Sequence, residues 1–325
     1  MKAIVCSKYG HPLDVIQLKE IEKPTPTDNQ VLVKVHAASI NISDLAPIRG
    51  VFLARLLGTG FLRPKRTMVG ADIAGRVEVV GKNVTQFRPG DEVFGDASGS
   101  CAEYACARED LLVLKPANVT FEQGATVGVA ATSALQGLRA GKIQHGQKVL
   151  VNGASGAVGT FAVQIAKSFG TEVTAVCSPK NLANARAMGA DHVIDYTQED
   201  FTRNGQTYDL ILAVNGFHPI LDYRRALSPK GICVVLGGKI PQIIQALLWG
   251  PLISKNGGRK IGFMGIAKLN QKDLVFLKEL LEAGKVKPVI DRRYPLSETA
   301  EAMQYLEEGH AQGKVVITLE DIHKA

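Results

Sequence analysis

The sequence predicts an α/β protein, a doubly wound parallel sheet joined to a smaller irregular β domain, and three observations predict it. An apolar strand at Val149-Leu150-Val151 runs into Gly153, Gly156 and Gly159 and then into the helical pattern Ala162, Ile165, Ala166 and Phe169. From Phe121 onward strand and helix patterns alternate, with strands expected near 148–153, 172–177, 192–195, 208–214, 232–236 and 260–264, as a parallel sheet with crossover helices requires. Before about residue 118 the pattern is short alternating segments and turns: Val31, Val33 and Val35 alternate, Ile73 to Val80 reads as a strand, and Arg88-Pro89-Gly90-Asp91 is a tight turn into Val93-Phe94.

Between these regions one long apolar helix is expected from Ala125 to Leu138. After the sheet come a helix from Asn270 to Ala283, a strand around Val289, a helix from Ser297 to Glu307 and a last strand from Lys314 to Leu319. These are too few to form a domain, so the chain end is expected to return to the first domain. The division is then 1–120 with 269–325, and 121–268, with the ligand in the cleft at the carboxyl ends of the sheet strands.

The glycine segment predicts a phosphate cradle. A pyrophosphate needs a turn without side chains, so that backbone N–H groups can approach it, and a helix start whose dipole faces the charge. Gly153, Ser155, Gly156, Ala157, Val158 and Gly159 supply that turn, with Ser155 standing where a second glycine is usual. The alternative is a glycine turn that merely connects a strand to a helix.

An NAD-selective site places an acid after the second strand, about 20 residues on, to bind the ribose 2′-OH. Here Val176-Cys177-Ser178-Pro179-Lys180-Asn181 has none, and the next acid is Asp191. Helical periodicity resumes at Leu182, so Lys180 stands at a helix start, where a cation opposes the dipole unless an external anion compensates it. A bound 2′-phosphate supplies that anion, and the expectation is NADPH, with Ser178, Lys180, Asn181 and Tyr196 around it. A solvated surface lysine is the other reading of Lys180.

Composition narrows the class. The 325 residues are 46% hydrophobic and 21% charged, ordinary for a folded globular chain. Strand-like residues begin at Ala3 and no apolar run approaches a membrane span, so a cytoplasmic location is expected. Cys6, Cys101, Cys106, Cys177 and Cys233 are scattered and contain no C-x-x-C pair, which predicts reduced thiols. The net charge of +7 is uneven: residues 45–71 carry Arg49, Arg55, Arg63, Lys65 and Arg66 without an acid, and residues 223–272 carry nine Lys or Arg without one. A phosphorylated cofactor explains this, as does a solvated basic face; nucleic acid fits less well, because few aromatics are interleaved with the cations.

In this order the chain resembles the medium-chain dehydrogenase/reductase superfamily, in its zinc-independent quinone oxidoreductase-like branch. The segments that carry the resemblance are Ala38 to Asp44, Gly70-Ala71-Asp72-Ile73-Ala74-Gly75, Pro89 to Gly95, Asn152 to Gly159, Gly189 to Tyr196 and Gly309 to Lys314. The resemblance implies a GroES-like domain beside a Rossmann cofactor domain and a homodimer. Relatives that use zinc carry a cysteine in the first segment and Gly-His-Glu in the second, where this chain has Asn41, Ser43 and Gly70-Ala71-Asp72, so no metal is expected.

It further implies that Asn41 lies near the nicotinamide ribose and the substrate carbonyl, that Thr132 contacts the nicotinamide, and that Gly237 and Lys314 lie on the cofactor side. Without a Lewis acid, a quinone or an α,β-unsaturated carbonyl is the expected small lipophilic substrate, because its π system spreads the charge that hydride transfer creates. Two other roles stay open, helix capping for Asn41 and a hydroxyl bonded to its own backbone for Thr132. No general acid is in view, which leaves solvent to deliver the proton. A non-enzymatic NADPH-binding scaffold or sensor using the basic face is the competing function. Two apolar segments are expected at the substrate entrance, Gly50 to Lys65 with Phe52, Leu56, Leu57, Phe61 and Leu62, and Ile240 to Ile253 with Leu247, Leu248 and Trp249. The second, flanked by Lys239 and Lys255, reads as a buried lid, a dimer contact or a membrane-surface helix.

Overall fold

The computed structural model describes residues 1–50, 64, 67–255 and 258–319. The apolar residues Phe52 to Leu62 and the cations Arg55, Arg63, Lys65 and Arg66 lie outside the described residues. Two compact units emerge, one formed by Met1–Val129, Leu269–Glu282 and Pro288–Ala325, the other by Ala130–Lys268 and Ala283–Lys287.

The second unit is a six-stranded parallel sheet with strands in the spatial order His192–Asp195, Glu172–Cys177, Lys148–Asn152, Tyr208–Ala213, Leu227–Val235, Lys260–Phe263. Chain order reverses between Lys148–Asn152 and Tyr208–Ala213, and such a reversal opens a crevice at the strand ends. Leu150, Ile211, Ala213, Cys233 and Val235 are each fully buried, as expected for strands covered on both faces. Leu227–Val235 starts earlier than the apolar pattern suggests, because its pairing shifts from Tyr208↔Leu227 to Leu210↔Ile232 and so admits the polar residues Ser228 to Lys230.

The first unit is built on a seven-stranded sheet. Ile290–Pro295, Lys314–Thr318, Gln30–Ile40, Asp72–Val80, Glu92–Asp96 and Leu112–Leu114 follow one another, and Tyr104–Arg108 also pairs with Gln30–Ile40. Lys314–Thr318 lies antiparallel to Gln30–Ile40, with Val315 opposite Ile40, so Lys314 and Asn41 come to the same end of adjacent strands. Lys2–Cys6 and Ile16–Glu20 form a separate antiparallel pair.

One expected element is corrected. The helix predicted from Ala125 to Leu138 is a single helix that starts three residues later, Gly128–Ala140, with a separate short helix, Phe121–Gly124, ahead of it. The longer helix starts at Gly128 because Asp72 Oδ1 accepts the Val129 N–H at 2.7 Å, and a Cβ at Gly128 would lie 2.4 Å from that oxygen. A carboxylate from a distant strand therefore sets the helix start. Among the described residues no helix is long and apolar enough to cross a membrane.

Candidate cofactor and active site

In the parallel-sheet unit the glycine turn has the shape that a phosphate cradle demands. Gly153 has φ +89°, and the N–H groups of Gly153 and Ala154 both donate to Val176 C=O, at 3.1 and 3.0 Å, which ties the turn to the neighbouring strand. Gly159 is sterically obligatory, since a Cβ there would stand 2.1 Å from Gly153 C=O. Gly156 is not: its Cβ would meet nothing of the chain nearer than 4.0 Å. Gly156 is the N-cap of helix Ala157–Ser168, whose first intrahelical bond runs from Thr160 N–H to Gly156 C=O. The amides of Ala157, Val158 and Gly159 have no intrahelical partner. Space over a glycine beside free amides fits a pyrophosphate.

Two buried polar atoms in this unit lack a partner, Thr132 Oγ1 and Asn181 Oδ1, on residues 1% and 3% exposed. The back-bonded hydroxyl considered for Thr132 is absent. Asn181 Nδ2 donates to Ser178 Oγ at 3.0 Å, so Asn181 braces Ser178 from below. Lys180 is exposed in the short turn Pro179–Asn181 ahead of helix Leu182–Ala187. Tyr196, 60% exposed, donates its N–H to Cys177 C=O, which brings it beside Ser178 at the strand ends.

Sequence reasoning missed two charges here. Asp195 pairs across the sheet with Cys177, and both Asp195 and Arg186 act electrostatically on the Cys177 thiol. Asp195 Oδ1 accepts from the Thr197 N–H and hydroxyl. Strand order, which places residue 195 beside 177, was the signal that could have found it.

A buried polar network behind the strand ends was also missed. Asn152 Nδ2 donates to the Tyr223 hydroxyl at 3.0 Å, Gln242 Nε2 donates to Gly237 C=O at 3.3 Å, and Gln242 Oε1 accepts the His218 N–H at 3.1 Å. Burial pushes the Tyr223 phenol's pKa upward, so it stays a donor. Gly238, at φ +99°, approaches Gly216 C=O. The network thus ties the loop 214–219 to the Gly237-Gly238 turn.

The first unit holds a buried charge cluster of its own. Asp72 and Lys314 are 0% and 1% exposed, and Lys314 Nζ donates to Asp72 Oδ2 at 2.8 Å and to Asn41 Oδ1 at 2.6 Å. Asn41 Nδ2 and Ser39 Oγ also donate to Asp72 Oδ2, at 3.0 and 2.9 Å. The resemblance put Lys314 on the cofactor side; in the structure its ammonium is buried against Asn41 and fixes which way that amide faces. Asn41 is the N-cap of helix Ile42–Arg49, and its backbone N–H donates to Asp44 Oδ2 at 2.8 Å, so the capping position and the buried network coexist. Burial raises the Asp44 pKa to about 6, and Asp72 adds to the rise, while the Asn41 N–H and Lys314 oppose it. His36 stacks on Phe121, and His192 bonds Glu172.

Comparison with known proteins agrees with this geometry. The alcohol dehydrogenase GroES-like domain family matches residues 27–178, and the zinc-binding dehydrogenase family matches residues 188–317. The chain is 34% identical to the NADPH-dependent alkenal/one oxidoreductase, chloroplastic, of Arabidopsis thaliana, over 98% of this chain and 79% of that protein. The chain belongs to the medium-chain dehydrogenase/reductase superfamily, in its quinone oxidoreductase-like branch. It is also 33% identical to the chloroplastic quinone-oxidoreductase homolog of Spinacia oleracea, over 98% of both chains. The solved quinone oxidoreductase of Coxiella burnetii superposes with TM-score 0.85 at 31% identity, covering 98% of this chain and 99% of that one. The chain combines a GroES-like domain with a Rossmann-type parallel-sheet domain, as in that superfamily. Although one matching family is described as zinc-binding, no group of three or more His, Cys, Asp or Glu among the described residues could hold a metal ion.

Proposed function

We propose that this chain is an NADPH-dependent oxidoreductase that reduces a quinone or an α,β-unsaturated carbonyl without zinc. The observation that carries the cofactor assignment is the open position above Gly156, framed by free helix amides, in a family whose Arabidopsis relative is named NADPH-dependent. When bound, the dinucleotide supplies the hydride. Ala157, Val158 and Gly159 amides hold its pyrophosphate, Lys180 and Ser178 meet the 2′-phosphate, and the Thr132 hydroxyl satisfies its missing bond at the nicotinamide end.

Zinc independence is supported by the fate of Asp72. Both of its carboxylate oxygens are engaged, Oδ1 by the Val129 N–H and Oδ2 by Ser39, Asn41 and Lys314. The Asn41 amide is then a neutral donor for a developing oxyanion, and a conjugated acceptor suits it because its charge is delocalised. With one Asn41 N–H held by Asp72 and its Oδ1 held by Lys314, the amide keeps one N–H for the substrate oxygen. The proton comes from solvent. All five cysteines are free, which suits a reducing compartment such as the cytoplasm.

The test is turnover. With NADPH, quinones and enones are consumed while matched saturated ketones react slower by orders of magnitude, and deuteride from labelled NADPH appears at the enone β carbon. Asn41→Ala lowers turnover more than cofactor affinity. Efficient oxidation of simple saturated alcohols, with no reduction of any conjugated acceptor, would overturn the proposal.

A further inference from the structure

The segment Ile240 to Ile253 is not the buried lid that its composition suggests. It forms helix Ile240–Ser254, and Gln242, Ala246 and Gly250 are its buried side. Gln242 belongs to the polar network behind the sheet, and Gly250 approaches Ile261 C=O so closely that a Cβ would lie 2.5 Å away. The helix is therefore anchored by its small and polar face. It cannot rotate to hide the other one.

That other face is apolar and open. Ile240, Ile244, Leu247, Leu248 and Leu252 recur at i, i+4, i+7, i+8 and i+12, a helical stripe, and are 72, 48, 56, 64 and 53% exposed. Trp249, 55% exposed, emerges at the flank of the stripe. The helix itself carries no charge, and exposed Lys239 and Lys255 flank its two ends. The wider segment 223–272 has nine Lys or Arg and no acid. A two-fold contact between copies through this face would bring the exposed Lys239 and Lys255 of one copy toward those of the other, with no acid on the helix itself to pair them, which opposes it. An anionic bilayer surface answers both the apolar stripe and the basic rim. At 15 residues the helix falls short of the roughly 20 a membrane span needs, so it would lie in the interface plane.

We propose that helix Ile240–Ser254 is a membrane-surface docking element that inserts its Ile240/Ile244/Leu247/Leu248/Leu252 face into the interface of an anionic lipid bilayer. The assignment stands apart from the reductase activity and can fail without it. Trp249 is the chain's only tryptophan, so its fluorescence reports on this helix alone.

The experiment mixes the full chain with vesicles of phosphatidylcholine alone or phosphatidylcholine with phosphatidylglycerol, and follows co-sedimentation and Trp249 emission without NADPH. The mixed vesicles are expected to carry the protein down, shift the emission to the blue and, when their acyl chains are brominated, quench it. Leu247→Ser with Leu248→Ser abolishes binding, with circular dichroism melting to confirm that the variant folds. Lys239→Gln and Lys255→Gln, both on the surface, each weaken binding about fivefold. Emission and sedimentation unchanged by either vesicle would overturn the proposal, as would equal binding to the uncharged vesicles. A dimer that the double-serine variant splits, in a protein that ignores lipid, would assign the face to a second copy instead.

Discussion

The cluster around Asn41 and the turn around Gly153 treat their polar groups in opposite ways. In the unit around Asn41, a carboxylate and an ammonium are sunk at 0 and 1% exposure, and Asp72 alone accepts from four donors. In the unit around Gly153, Thr132 Oγ1 and Asn181 Oδ1 are buried without partners, and three helix amides lack intrahelical ones. Buried polar groups left unsatisfied are costly unless something else meets them. The first arrangement is a closed frame that fixes one amide; the second is a set of unpaired donors and acceptors beside a glycine turn. The difference teaches that a site can be found by what a fold leaves undone as well as by what it completes.

The largest expected effect breaks the frame. Asp72→Ala strands the Lys314 ammonium in the interior, and uncompensated buried charges cost about 3–5 kcal/mol. Urea unfolding should show that loss. Asp72→Leu with Lys314→Met removes the stranded charge and should recover part of the stability, the Val129 N–H and the Ser39 hydroxyl still lacking their acceptor, while leaving Asn41 unoriented. A loss under about 1 kcal/mol in the single variant would show that the pair frames nothing.

Next in size is the frame's response to pH. Asp44 has its pKa raised to about 6, so the folded state holds that proton more tightly than the unfolded chain, where an aspartate titrates near 3.9. Its stabilising contribution is complete below the unfolded value and is lost as pH rises through the folded one. The difference amounts to something on the order of 3 kcal/mol. Asp44→Asn should therefore flatten the fall in stability between about pH 4 and 6 relative to the wild type, measured as urea midpoints at successive pH values. Parallel curves for the two proteins would mean that the Asp44 carboxyl does not hold the proton responsible.

These effects also mark where the sequence stops being legible. The parallel sheet could be read almost strand by strand, because buried strands are continuous apolar runs and glycines punctuate them. The glycine turn was equally plain, since Gly153 and Gly159 are demanded by local geometry. The frame was not. Asn41, Asp72 and Lys314 are separated by 31 and 242 residues in the chain, and nothing in local periodicity says that they touch. The later helix start at Gly128 escaped for the same reason, as its cause is Asp72 on another strand, and Asp195 beside Cys177 needed the strand order.

At the glycine turn, the sharper test is Gly156→Ala. The added methyl meets no atom of the chain nearer than 4.0 Å, so thermal stability should hardly move. It would occupy the volume a pyrophosphate needs against the backbone, and NADPH affinity should fall about a hundredfold, or roughly 2.7 kcal/mol. Gly159→Ala provides the contrast: it collides with Gly153 C=O and should lower stability and binding together. If Gly156→Ala binds NADPH as the wild type does, the open space is not the cradle.

The smallest effect decides which dinucleotide the unpaired groups fit. Lys180 is exposed at a helix start, where it is unfavourable unless an anion sits nearby, and Asp195 lies one strand away with its charge directed at the same strand ends. A charge-assisted hydrogen bond contributes about 1.5–3 kcal/mol, and exposure puts Lys180 at the low end. Lys180→Ala should thus weaken NADPH about tenfold and leave NADH nearly unchanged, because only the former carries a 2′-phosphate. Asp195→Asn should act in the opposite sense, strengthening NADPH by relieving repulsion, while NADH again stays put. Titrating both cofactors against both variants separates the possibilities: equal losses for NADH and NADPH in Lys180→Ala would mean the lysine meets a phosphate that both share, and the 2′-phosphate assignment would fall while the cradle at Gly156 stood.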